Sequence, residues 1–249
     1  MILPNMNDDD RTFEAVRMVH ILAGKMRDLK PEVADKFRKA VKYPYIIRYE
    51  HTDDRMNTWR MLFILPNKWY KKKRLFRTIC YTTYEVPPKR KDNYLNAGKG
   101  VLLFDPPAME LYINNRFDDD RKMAAVGDIV PHAINQFTER ALKPEGRGDM
   151  EFHKKVEELI LRWRHFDVSA DLYGDKSSIK HKDEGMCPYD LVMSDGGMLR
   201  GQIISPMLVR MFTYVGKDDL YDNQQERHNE MMRERAEWLR NGYYYNKTD

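Results

Sequence analysis

The sequence predicts an α+β fold, antiparallel sheets with packed helices, in one compact unit or in two closely joined subdomains. Three observations carry that expectation. The first forty residues place apolar side chains at helical spacing, residues 45–113 hold four or five strand-like segments in succession, and helix-like then strand-like segments return after residue 130. The organisation expected is an N-terminal helical and antiparallel β half over 1–125, then a helix-and-hairpin half with a terminal helix over 126–249. A hydrophobic fraction of 42% is ample for a core, and 33% charged residues imply a well-solvated surface.

Element by element, Phe13, Val16, His20 and Ala23 recur at helical spacing and predict an amphipathic helix over 11–28. Pro31 suits the first position of a second, short helix with Val33, Phe37 and Val41 on one face, ended by Tyr43-Pro44. Strands are expected from Tyr45 to Tyr49, from Trp59 to Leu65 and from Leu75 to Val86, the first two flanking the polar turn His51-Thr52-Asp53-Asp54. Residues 100–104 and 109–113 read as a further strand pair broken by Asp105-Pro106-Pro107, and 114–130 as a polar connector. Pro131 opens the helix PHAINQFTERAL, which stops before Pro144. The next helix, about 150–165, carries Phe152, Val156, Leu159, Ile160 and Trp163 on one stripe. Residues 167–185 read as loop. Residues 189–204 form a hairpin expected to turn at Asp195-Gly196, and 208–215 adds a strand. A polar helix over 222–240 closes the chain, with Met232, Ala236 and Leu239 as its narrow apolar stripe.

Composition excludes several classes. No apolar run approaches the ~18 residues that cross a bilayer. The start, Met1 to Asp10, lacks the basic and apolar regions of a signal peptide. Cys80 and Cys187 form no paired motif, which fits reduced thiols in a cytoplasmic protein. Net charge is +4, yet residues 51–100 carry twelve Lys/Arg against four Asp/Glu, while 101–249 are net acidic. Such asymmetry speaks to partners.

Two constellations could carry chemistry. Lys68-Trp69-Tyr70-Lys71-Lys72-Lys73-Arg74, then Lys89-Arg90-Lys91, set cations beside aromatics on an expected turn and strand end. Phosphates favour the cations and unstacked bases the rings, so Lys71, Lys72, Lys73, Arg74, Lys89, Arg90 and Lys91 are candidates for nucleic-acid binding. Lysines blunting a sheet edge explain the same run without a ligand. On the helix from Pro131, Ile134, Phe137 and Ala141 face a core, and His132, Gln136 and Arg140 form a separate polar stripe. An imidazole exchanges protons near neutrality and a guanidinium clamps phosphate oxygens with two donors. A capping histidine and a surface arginine paired with a carboxylate would look alike in sequence. His165-x-Asp167 with Asp171, His181-x-Asp183 and Asp118-Asp119-Asp120 match no trusted ligand spacing, so neither metal nor cofactor is expected.

The order of parts over 128–216, a histidine-bearing helix, an amphipathic helix, an Asp-Gly hairpin and the strand VRMFTYV, with the pattern H-x-x-x-Q-F-x-x-R, is similar to the metal-independent ribonuclease fold of barnase, the EndoU nucleases, tRNA-cutting colicins and RelE toxins. The N-terminal half has no counterpart there. The resemblance implies a toxin-like endoribonuclease, a hydrolase of RNA rather than DNA. His132 would be its general acid/base and Arg140 the phosphate clamp, with Gln136 beside them and Thr213 or Tyr214 assisting from the sheet. The ribose 2′-hydroxyl would be the nucleophile. The alternative is a non-enzymatic binding or assembly protein of a phage or mobile element. Its basic turn and the helix over 222–240 would meet a protein partner or a second copy.

Overall fold

A computed structural model of the chain describes residues 2, 6–88, 97–114, 126–163, 187–205 and 207–240. Helices and a mostly antiparallel sheet make it α+β, as the residue patterns predict. The chain divides into two compact units, Met1–Pro131 with Ile204–Val209, and His132–Ile203 with Arg210–Asp249. The division thus falls at Pro131/His132 rather than 125/126, and residues 204–209 belong with the first unit.

The first unit begins with α1 (Asp8–Arg38), one helix where two were expected. Asn7 caps it, its Oδ1 accepting from the Asp10 amide at 2.8 Å, and Asp9 and Asp10 in its first turn favour the positive end of the helix dipole. Pro31 lies inside the helix and is exposed. An interior proline costs about 3 kcal/mol. Beyond it, however, Val33, Phe37 and Ala40 continue in phase with Leu22 and Met26 and are all buried, and each large side chain buried returns ~1.5–3 kcal/mol. Core contact therefore overrides the break. The buried face is Ala15, Met18, Val19, Leu22, Ala23 and Met26, so Phe13 and His20 point outward, and Val41, past the helix end, is 84% exposed.

Strands β1 (Tyr45–Thr52) and β2 (Thr58–Leu65) pair antiparallel from Tyr45 with Leu65 to Thr52 with Thr58. After them come α2 (Lys68–Lys73), β3 (Arg77–Val86), β4 (Gly98–Phe104), α3 (Pro106–Asn114) and β5 (Val126–Ile129). Strands β6 (Cys187–Val192), β7 (Met198–Ser205) and β8 (Leu208–Val215) complete the sheet, in the order β1-β2-β3-β4-β5-β8-β7-β6. Alternate residues of β2, Trp59, Met61, Phe63 and Leu65, meet α1 in one core with Cys80, Tyr84, Leu102 and Phe104.

Two expectations for the first unit fail here. The residues taken as a strand, 109–113, belong to α3, because Pro106 presets a first helical position, the Met109 amide bonds to the Asp105 carbonyl, and Met109 faces the core. The connector 114–130 ends in β5, whose four residues are all buried. Its Asp128 is fully enclosed, and a charge inside a strand hides the strand pattern. The carboxylate is satisfied by the Tyr84 hydroxyl at 2.5 Å and by Arg11 Nη1 at 3.1 Å.

In the second unit, α4 (Pro131–Phe137) runs into a π-helical turn over Thr138–Leu142, where the Lys143 amide bonds to the Thr138 carbonyl at 2.9 Å. Helix α5 (Phe152–Arg162) buries Val156, Leu159 and Ile160 as its stripe predicts, with Trp163 just beyond it 9% exposed. The hairpin between β6 and β7 turns through three residues, Ser194 to Gly196, not through a two-residue primed turn. The Met193 amide bonds to the Gly197 carbonyl at 2.8 Å, and Gly196 takes φ 88°, the left-handed closing residue of such a loop. Helix α6 (Asp222–Arg240) buries His228 and Met231, and Met231 packs on Val192 and Met198. Met232, expected on the apolar stripe, is instead 40% exposed. Among the described residues no helix is long and apolar enough to cross a membrane.

Candidate nucleic-acid interface

The basic run at 68–74 is a short helix rather than a turn. Asn67 caps α2, its Oδ1 accepting from the amides of Trp69 at 2.9 Å and Tyr70 at 3.2 Å. Arg74 ends it at φ 57°, and its amide returns to the carbonyls of Lys71 and Tyr70. That left-handed position favours glycine, and a side chain there costs ~1 kcal/mol. Lysines 72 and 73 and Arg74 are exposed, and none has a side-chain partner among the described residues. Lys71 differs: its Nζ donates to the Ala40 carbonyl at 2.7 Å, at the negative end of α1. Lys89, Arg90 and Lys91 lie outside the described residues.

Between the end of α1 and α2 lies a groove of about 300 Å³. Its floor is apolar: Phe37, Leu65, Leu75 and Phe76. Phe76 is held by aromatic contacts, 5.5 Å from the Phe37 ring and 5.9 Å from that of Phe63. Arg38, Lys71 and Arg74 stand around the floor with Ala34, and among the described residues no acidic side chain lines it. Arg38 pairs with Asp35 on its own helix. An apolar floor rimmed by cations, the fork of Arg74 among them, suits an anion attached to a flat or greasy body.

The stripe on α4 keeps only part of its expected arrangement. His132 is half-buried; burial lowers its pKa from 6.5, and the nearby charge of Arg140 lowers it further. The two groups are thus electrostatically coupled, with Gln136, also half-buried, one turn from His132. Arg140 sits in the π turn, which rotates its side chain away from an ideal α-helical stripe. Its Nη1 donates to the Tyr214 carbonyl at 3.1 Å and its Nε lies 3.5 Å from Asp219. Tyr214 is 2% exposed; its ring packs edge-on to Phe137 at 5.3 Å, and burial raises its hydroxyl pKa far above the ordinary value. Thr213, its neighbour in β8, faces the other side of the strand. Tyr214 is therefore a core residue, and Thr213 does not share the side on which Phe137 packs.

The cations of α2 are visible in the sequence, but the groove is not. Phe37 and Arg38 join it from the end of α1, more than thirty positions before Lys71, and only the fold brings them beside it. The candidate loop pairs His165 with Asp167, and His181 with Asp183, fall outside the described residues, as does Asp118-Asp119-Asp120. Among the described residues no group of three His, Cys, Asp or Glu is placed to hold a metal. No family model, no curated protein and no solved structure matches this chain.

Proposed function

We propose that the chain is an RNA-binding protein and that the surface formed by α2 and the end of α1 is where the RNA backbone docks. One observation carries the reading: three adjacent cations, Lys72, Lys73 and Arg74, stand exposed, without acidic partners among the described residues, beside a groove lined by further cations. Surface lysines and arginines are commonly neutralised by neighbouring carboxylates; here that neutralisation is left to a ligand. The backbone of Arg74 supports the same reading, because a glycine would fit its conformation with less strain. Hydrogen exchange with and without a 20-mer RNA tests it. Amides of 34–42 and 66–78 should exchange more slowly in the complex. Uniform exchange across both segments at saturating RNA counts against this surface.

A second reading, phosphodiester cleavage by His132 with Arg140, is favoured by their electrostatic coupling and by the π turn under Arg140, a distortion frequent at functional sites. A histidine kept neutral near pH 7 could take the proton of a ribose 2′-hydroxyl. The commitment of Arg140 to the Tyr214 carbonyl and to Asp219 weighs for a structural role, so cleavage ranks behind binding.

A further inference from the structure

We infer that the groove beside α2 takes an unstacked base, so that the protein selects single-stranded over duplex RNA; this rests on the RNA-binding reading above. The cations alone would not produce that selection. A duplex carries its phosphates more densely than a single strand, and a purely electrostatic surface binds it at least as well. What a duplex cannot offer is a base face, since its bases are stacked inside the helix. The groove offers a face of its own. Leu75 is 47% exposed and Phe76 is partly so, while Phe37 and Leu65 close the floor beneath them. Contacts of Phe76 with the rings of Phe37 and Phe63 hold its ring in place, which limits the entropy lost when a base stacks.

Size and charge fit one nucleotide. About 300 Å³ is at the lower end of small-ligand sites, too little for an extended ligand but enough for one planar group. Lys71 and Arg74 come from α2 and Arg38 from α1, so a base lying on the floor leaves its phosphate within the ring of cations. Lys71 is fixed there by the Ala40 carbonyl. Neutral apolar ligands would leave the rim unused, and inorganic anions would leave the floor unused. A nucleotide freed from its stack uses both.

The test measures anisotropy of the full chain with three labelled ligands of equal phosphate number: a single-stranded RNA, the same strand with abasic sites, and a blunt RNA duplex. The intact single strand should bind roughly tenfold or more tighter than the other two, as stacking of one base implies. The variant Ala34→Leu adds bulk to the groove wall without changing charge, at an exposed helical position that tolerates leucine. It should bring the intact strand down to the abasic level and leave duplex binding unchanged. Equal binding of all three ligands, or tighter binding of the duplex, overturns base capture while the RNA-binding reading stands. No binding of any RNA at low salt overturns both. Binding to phosphatidylserine vesicles without binding to RNA also overturns both, and assigns the groove to a lipid surface.

Discussion

The ammonium of Lys71 donates to the carbonyl of Ala40 at 2.7 Å, so the helix that carries the basic run is tied to the end of the long N-terminal helix. This bond separates Lys71 from the lysines beside it. One cation of the run holds the fold, and its neighbours face solvent.

Lys71→Ala should therefore destabilise the protein by about 0.5–1.5 kcal/mol, the usual net worth of one such hydrogen bond. Lys72→Ala and Lys73→Ala should each stay within ~0.5 kcal/mol of wild type. Urea denaturation of the three variants measures the difference, and equal losses at all three positions would contradict the assignment.

Arg74 offers the opposite separation. In Arg74→Gly the left-handed backbone loses its strain, partly offset by the extra freedom of glycine in the unfolded chain, so stability should hold or rise by up to ~1 kcal/mol. RNA affinity should fall in the same variant. A clear loss of stability, or unchanged affinity, would show that the arginine is placed there for packing alone.

Asp105 gives a pH prediction outside the candidate sites. Burial pushes its carboxyl up to about 6, although the Thr78 hydroxyl donates to it at 2.9 Å and the Ala108 amide bonds to it. Its pKa is raised above the unfolded value of 3.8, so the folded state favours the protonated form. That contribution is fully present below pH 3.8 and is lost as pH rises through 6. Asp105→Asn should therefore gain about 1–2 kcal/mol over wild type at pH 7, discounted from the full linkage value because the group is partly open to solvent. The gain should vanish near pH 4. Thermal melts across that range decide it, and a gain independent of pH would rule out the ionisation.

For the cleavage reading, His132 provides the sign. Its pKa lies below 6.5, so an activity in which it acts as a base should rise with pH to a midpoint under 6.5 and should be indifferent to EDTA. His132→Ala should abolish cleavage, and Arg140→Lys should reduce it sharply, because an ammonium cannot match the planar fork. Cleavage that survives His132→Ala removes this histidine from the chemistry.

What could be read from the residues follows from range. Local signals succeeded: the α5 stripe with Trp163, the glycine of the β6–β7 hairpin and the first three strand segments all stand where spacing puts them. Long-range energetics failed it three times. Pro31 reads as a boundary until Val33 and Phe37 are seen in the core. Asp128 disguises β5 until Arg11 and Tyr84 are seen around it. Met232 seems the apolar choice on α6 until Met231 is found against Val192 and Met198. The candidate interface follows the same division, with all its cations but Arg38 visible in one heptapeptide and its floor assembled from residues up to 39 positions apart, Phe37 to Phe76.

Salt dependence of RNA affinity tests the central claim most directly. Binding of a single-stranded RNA should be detectable at low salt and should weaken linearly in log–log terms, by about 0.7 per phosphate neutralised. The triple variant Lys72→Ala, Lys73→Ala, Arg74→Gly should keep the fold and flatten that slope by up to ~2. Absence of binding at low salt, or a slope unchanged in the triple variant, would contradict RNA docking at α2.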